Sequence, residues 1–385
     1  MLSHKPLPSA SRVRAPRGRW LLAAVGTALL AVACGSKGAS TEPAPCDDCT
    51  LITDAASAAT FWAAVPACLS AVTTLENTNP YLYTAKWSPV ADFVLAGTTG
   101  ALRMIQVDAA AGTLTQLVSF AQPGNIYVDW DKSGQFALSA GTDVRLLAIG
   151  ASPPSVTELA SYQANTSLPQ LYDVKWSPDN HFLLTGGQDG AVRLLQVDSA
   201  TPALAQLAVF TGHVGKVYGV AWAPDGQHAL SAGADGTLRL LAVDTSAGSI
   251  SQLAISTTTE WESAVAWGSV DTPVLSGTWG TRNAVQLWSV PPDFSALDRT
   301  LEIPGQTPGV QVLEWSWDRT QLITAEHEDT LHLFTRNGMS ITAIGTLGSH
   351  YTGVHAVAWS RDGNALVMAS SHGDILTLVD VSGCH

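Results

Sequence analysis

The chain has 385 residues, 46% of them hydrophobic and only 13% charged, with a formal net charge of −13. An acidic body without a Lys/Arg cluster excludes nucleic acid from the expected partners, because a phosphate backbone needs concentrated positive charge. No uninterrupted apolar segment approaches the roughly 20 residues needed to cross a bilayer, which excludes a multispan membrane protein as the source of the apolar fraction.

Residues 1–33 read as a secretory signal peptide. Lys5, Arg12, Arg14, Arg17 and Arg19 come without an acidic residue, and the apolar run from Trp20 to Cys34 ends in small side chains. Its end, Leu30-Ala31-Val32-Ala33-Cys34 followed by Gly35-Ser36, resembles a bacterial lipobox, with Ala31 where leucine is commoner. The resemblance implies cleavage before Cys34 and acylation of that residue, palmitate being one such chain, and two or more chains hold a protein stably on a membrane. It also implies export, with Gly35 favouring the outer over the inner bacterial membrane and a periplasmic or surface location. Cleavage would remove five of the 19 basic residues and none of the 32 acidic ones, taking the net charge to −18.

Residues 34–66 read as a tether. Cys46 and Cys49 form a lone CxxC in a Pro- and Asp-rich stretch (PAPCDDCT), with no second CxxC or nearby histidine to complete a zinc site, so a local disulfide is expected there. A short helix is predicted near residues 54–65: Asp54 can cap it, Phe61, Trp62 and Val65 give it an apolar side, and Pro66 follows its end.

From residue 67 to 385 one pattern repeats. Trp87, Trp130, Trp176, Trp222, Trp267, Trp315 and Trp359 each end an apolar run, usually before Ser-Pro-Asp or a relative of it, at spacings of 43 to 48 residues. That period is one four-stranded blade, so seven copies predict an all-β, seven-bladed β-propeller of antiparallel blades. The clearest copy spans residues 211–244: Gly212-His213, a strand ending at Trp222, a Pro224-Asp225-Gly226 turn, a second strand, an Asp235-Gly236 turn and a third strand. This copy resembles the WD-repeat family. Elsewhere the Gly-His pair is stretched or missing, and only Trp288 keeps the closing tryptophan, where Leu147, Leu195, Leu241 and Phe334 stand in other copies. In that family a His, Ser/Thr, Asp and Trp network stiffens each blade, so most blades here are expected to rely on apolar packing instead.

Outer strands are predicted at residues 114–120, 204–210 and 250–255, and the last copy runs out of chain after its third strand, residues 375–381. A matching strand lies at residues 69–75. The resemblance implies that this N-terminal strand completes the last blade, which also hides two sheet edges. On that alignment Cys68 and Cys384 fall in the turn joining the blade's last two strands, within reach of a disulfide.

Blade 5 departs most in its loops. Trp261, Trp279 and Arg282, with Tyr351 of blade 7, are candidate partner-binding residues, being of the types enriched in interface hot spots. Glu326, His327, Glu328, Asp329 and His332 could in principle bind a metal or move protons, but they align with a turn and are expected to be solvated. No nucleophile elbow, phosphate loop or HExxH occurs, so no catalytic residue, metal or cofactor is expected. The expected function is a non-enzymatic, membrane-anchored scaffold with a protein-binding face. The alternatives are a propeller hydrolase or lyase, or a small-ligand sensor using the central channel.

Overall fold

A computed structural model describes residues 31–34, 49–52 and 69–384, apart from 77–80, 165, 259, 270–272, 281–283, 305–308, 327–329, 339, 349–352 and 371–374. The expected helix at 54–65 therefore lies outside the described residues, as do Cys46, Cys68, Arg282 and Tyr351. In the uncut chain Ala31–Cys34 pairs antiparallel with Cys49–Ile52, Cys34 opposite Cys49. Cleavage ahead of Cys34 would remove three of the four residues of that first strand.

The rest is a seven-bladed propeller of four-stranded antiparallel sheets. Blade 4 shows the plan: Val217–Trp222 runs along the channel, then His228–Gly233, Thr237–Asp244 and Ser249–Thr257 follow outward in sequence order. In blade 1 the second and third strands form one continuous element, Phe93–Asp108, which folds back at Gly100 (φ 79°). Its first half pairs with Leu82–Trp87 and its second with Thr113–Asn125. The ring closes as expected: Ser70–Glu76 pairs with Ile375–Asp380 and supplies the fourth strand of blade 7.

Seven apolar clusters hold the ring, one at each interface between neighbouring blades. The cluster at the seam joins Trp87, Val94 and Ile105 of blade 1 to Val367, Leu376 and Leu378 of blade 7. Each repeating tryptophan contributes to one cluster, which explains their period: every interface needs one large apolar side chain at the same depth. Three of them also staple blade to blade. The Nε1 groups of Trp130, Trp222 and Trp359 donate to the carbonyls of Lys86, Lys175 and Glu314 in the preceding blade, at 3.0, 3.2 and 3.1 Å. Those of Trp87, Trp176 and Trp315 are buried without a partner among the described residues. Neighbouring blades approach so closely that a Cβ on Gly97 would lie 2.1 Å from the carbonyl oxygen of Ile126.

The expectation that most blades rely on apolar packing is corrected. A hydroxyl stands nine residues after the tryptophan in five successive blades, as Ser139, Thr185, Ser231, Ser276 and Thr324, all buried. In blade 4 Ser231 Oγ bonds His213 Nε2 at 2.7 Å, and His213 Nδ1 bonds Asp235 at 3.0 Å. In blade 2 a glutamine does the histidine's work. Ser139 Oγ donates to Gln122 Oε1 (2.6 Å) and Gln122 Nε2 donates to Asp143 (3.0 Å), which Arg145 also binds (2.9 Å). Blade 3 keeps the Asp189–Arg193 ion pair. Blade 5 keeps Trp288 donating to Ser276 Oγ at 2.9 Å. Ala96 and Met368 occupy this position in blades 1 and 7, so the two blades at the seam are apolar there. In blades 2 and 4 different side chains thus satisfy a buried hydroxyl at the same place in the fold, whereas Thr324 Oγ1 of blade 6 is buried without a partner among the described residues.

Candidate functional site: the mouth of the central channel

The innermost strands build the site. In six blades the first strand carries a β-bulge against the second strand, and the residue it leaves unpaired stands four positions before the tryptophan. These residues are Tyr83, Tyr172, Tyr218, Ser263, Gln311 and His355, and all six line a channel cavity of about 390 Å³. Blade 2 has no such bulge, and Tyr127 lines the same cavity from a regular pair with Ala140. A bulge re-aims one side chain without breaking the sheet, which is how one residue per blade is turned to the axis.

The rings form a continuous arc. Centroid distances are 5.9 Å from His355 to Tyr83, 6.0 Å to Tyr127, 6.3 Å to Tyr172 and 5.4 Å to Tyr218, each ring with the next, and 6.4 Å from Tyr218 to Trp261. All lie in the range of favourable aromatic pairing. In blade 5 the bulged residue is too small to join: Ser263 Oγ lies 2.6 Å from the Val310 carbonyl of the next blade, and Trp261, two residues earlier, supplies the ring. Lys216 Nζ sits 5.4 Å from the Tyr172 centroid and 6.0 Å from that of Tyr218.

Below the arc lie charges. Lys86 reaches Glu314 at 2.6 Å across the channel from blade 1 to blade 6, and Lys175 binds Asp173 at 2.6 Å. Asp129 accepts the Trp176 backbone N–H at 2.9 Å, and Asp173 accepts that of Val220 at 3.0 Å, so both acids also tie blade to blade. Burial raises the carboxyl of Asp129 above its ordinary value, against the pull of Lys175 and Lys86. For Lys175 burial pulls downward, yet Asp173 and Asp129 outweigh it and hold the ammonium charged. Burial likewise pushes the Tyr127 phenol up, so it stays neutral. The two ammonium groups of the floor are thus each paired with a carboxylate, Lys86 with Glu314 and Lys175 with Asp173.

Around the mouth stand exposed apolar side chains from the loops that lead into the first strands: Tyr81 (44% exposed), Leu168 (45%), Val214 (82%) and Trp261 (50%). Of the partner-binding candidates, Trp261 and Trp279 are brought together as directly opposed residues of one strand pair, and both line the cavity. The tyrosines of the arc were not anticipated. Their signal was present, an aromatic or polar residue four positions before the tryptophan, but alternation along a strand does not reveal a bulge.

The acidic cluster is not a solvated turn where it is described. Glu326 and His332 are both 2% exposed, with Nε2 and Oε1 3.4 Å apart, inside blade 6. Strand pairing sets His332 opposite Thr324, so the imidazole belongs to the internal polar row and not to a loop. Among the described residues no three His, Cys, Asp or Glu side chains are grouped so as to hold a metal ion. Cys384 is buried in the cluster at the interface of blades 6 and 7 together with Leu69, and it is disulfide-bonded to a residue outside those described.

The chain is a seven-bladed propeller, and three stretches of it, residues 157–195, 204–240 and 341–376, match the WD domain, G-beta repeat family. A chain from the "Crystal Structure of Mitotic Checkpoint Complex" shares the fold, with a TM-score of 0.66 and 20% identity, over 81% of this chain and 92% of that one. Comparison with curated proteins finds no match.

Proposed function

We propose that this protein is a non-enzymatic docking scaffold that binds a protein partner of basic surface on the face holding the channel mouth. The observation that carries the reading is the coincidence, on one face, of the exposed Tyr81, Leu168, Val214 and Trp261 with the aromatic arc they surround. Scattered exposed apolar residues are ordinary, but a group of them around a concave aromatic site marks an interaction surface. The net charge of −13 favours a basic partner, since opposite fields steer association. Propellers of this kind typically serve as interaction scaffolds, and the lysines of the channel floor are engaged in ion pairs at 2.6 Å, not poised as an acid or base.

The scaffold is proposed to be carried on lipid at Cys34 in a bacterial envelope, at the outer membrane, on the strength of the basic leader, the Leu30–Cys34 box and Gly35. Its ring is proposed to be clasped by a Cys68–Cys384 disulfide. The disulfide-bonded state of Cys384, and its burial against Leu69 next to Cys68, support that pairing.

Photo-crosslinking from single positions tests the docking reading. The same basic partner should be captured from positions 261 and 214 and not from position 317, whose tryptophan is 49% exposed beside the turn at the opposite end of its strand. Equal capture from position 317, or none from 261 and 214, refutes the assignment of the face.

A further inference from the structure

The channel mouth has a chemical character that the docking reading alone does not specify. Three observations converge on it. The faces of Tyr172 and Tyr218 already receive an ammonium group, that of Lys216, at 5.4 and 6.0 Å, within the distance at which a ring quadrupole attracts a cation. The arc continues from Tyr218 to Trp261, the most favourable ring type for such contacts, and Trp261 is half exposed. On the neighbouring blade, Gln311 lines the same cavity with a buried Oε1 that has no hydrogen-bond partner among the described residues.

We propose that the mouth of the channel is a binding site for an alkylated ammonium group, received against the ring faces of Tyr218 and Trp261, with Gln311 Oε1 as acceptor where the group carries an N–H. An anionic ligand would meet the negative faces of the rings and the lone acceptor of Gln311. A hydrocarbon of the same shape would gain contact area but nothing from the ring quadrupoles. Lys216 is then an internal competitor, a tethered cation that occupies part of the ring surface and repels a second positive charge. Two sources could present this chemistry: a free small cation, or a basic side chain of the partner. Only the second rests on the docking reading above.

The experiment is a titration of the purified protein with choline and, in parallel, with its uncharged isostere 3,3-dimethylbutan-1-ol, followed by tryptophan fluorescence and calorimetry. Choline is expected to bind saturably and about tenfold more tightly than the isostere, the size of a partly desolvated cation–π contact. Trp261→Ala should weaken choline binding by a similar factor, Tyr218→Phe should preserve it, and Lys216→Met should strengthen it. Unchanged thermal unfolding of Tyr218→Phe and Lys216→Met keeps the comparison independent of folding. Equal affinity for choline and the isostere, no saturable binding, or weaker binding by Lys216→Met overturns the proposal. A lysine-bearing peptide that binds well beyond choline assigns the group to a protein partner, and the reverse order assigns it to a small cation. Crosslinking retained at positions 261 and 214 while choline fails would sink this inference and leave the docking surface standing.

Discussion

Replacing Trp176 and Trp222 by phenylalanine, one at a time, separates the two jobs of the repeating tryptophans. Both residues end the first strand of their blade, both are 8% exposed, and both fill the cluster against the preceding blade. The substitution removes the same atoms at each site, so the packing loss, on the order of 1–3 kcal/mol, cancels in the comparison. What remains is the indole N–H. At Trp222 it donates to the Lys175 carbonyl at 3.2 Å, a bond with a net contribution of about 0.5–1.5 kcal/mol. At Trp176 it is buried without a partner among the described residues, a state that costs about 1–3 kcal/mol and that phenylalanine relieves. Trp222→Phe should therefore be more destabilising than Trp176→Phe by about 1.5–4.5 kcal/mol. Urea unfolding with unchanged m-values measures the difference. Two variants equal to within about 0.5 kcal/mol, or the reverse order, would refute the idea that the tryptophans staple the blades through their nitrogens.

Three further outcomes follow from the same structure. Burial pushes the carboxyl of Glu262 up to about 7, against the weaker pull of Ser276, Thr258 and Arg299. Its folded value lies above the ordinary 4.5, so its contribution to stability is complete below that value and is lost as pH rises through about 7. Glu262→Gln should thus unfold like the parent at acidic pH and be more stable above neutrality, by about 3 kcal/mol at the limit; parallel pH profiles would contradict this. Cys384→Ser should lower stability by about 3–5 kcal/mol, and reductant should reproduce that loss in the parent and not in the variant. Peptide mapping that joins Cys384 to any residue other than Cys68 would disprove the clasp. Labelling cells with an alkynyl palmitate should tag the parent and not Cys34→Ser, which should leave the membrane fraction; a tagged variant would remove the lipid reading.

The polar rows show how far one strand pattern can be read. Ser139, Thr185, Ser231, Ser276 and Thr324 recur at a fixed distance from their tryptophans, and their period is as regular as that of the tryptophans themselves. They escaped notice because the partner varies, histidine in blade 4 and glutamine in blade 2, while the hydrogen-bond requirement stays the same. Glu326 and His332 mislead in the opposite direction. Their composition suggests a solvated turn, but Glu326 ends the second strand and His332 is the third residue of the third, so both lie inside the blade.

The seven tryptophans, their spacing and the unmatched strand at residues 70–76 determine the number of blades and the place of the seam, because burial at each interface repeats the same demand along the chain. Trp261 and Trp279 are legible as candidates because they are tryptophans outside the repeating set, although the structure places both at strand ends and not in loops. The arc of Tyr83, Tyr127, Tyr172 and Tyr218 is decided only by tertiary structure. A bulge shifts the phase of the inner strand in six blades and turns its extra residue to the axis, Tyr127 reaches the axis from a regular pair, and closure of the ring then brings these residues into contact. The pair between Lys86 and Glu314, 228 residues apart, exists for the same reason. A periodic sequence specifies what each blade buries; which side chains meet at the centre depends on how many blades close the circle and at what register.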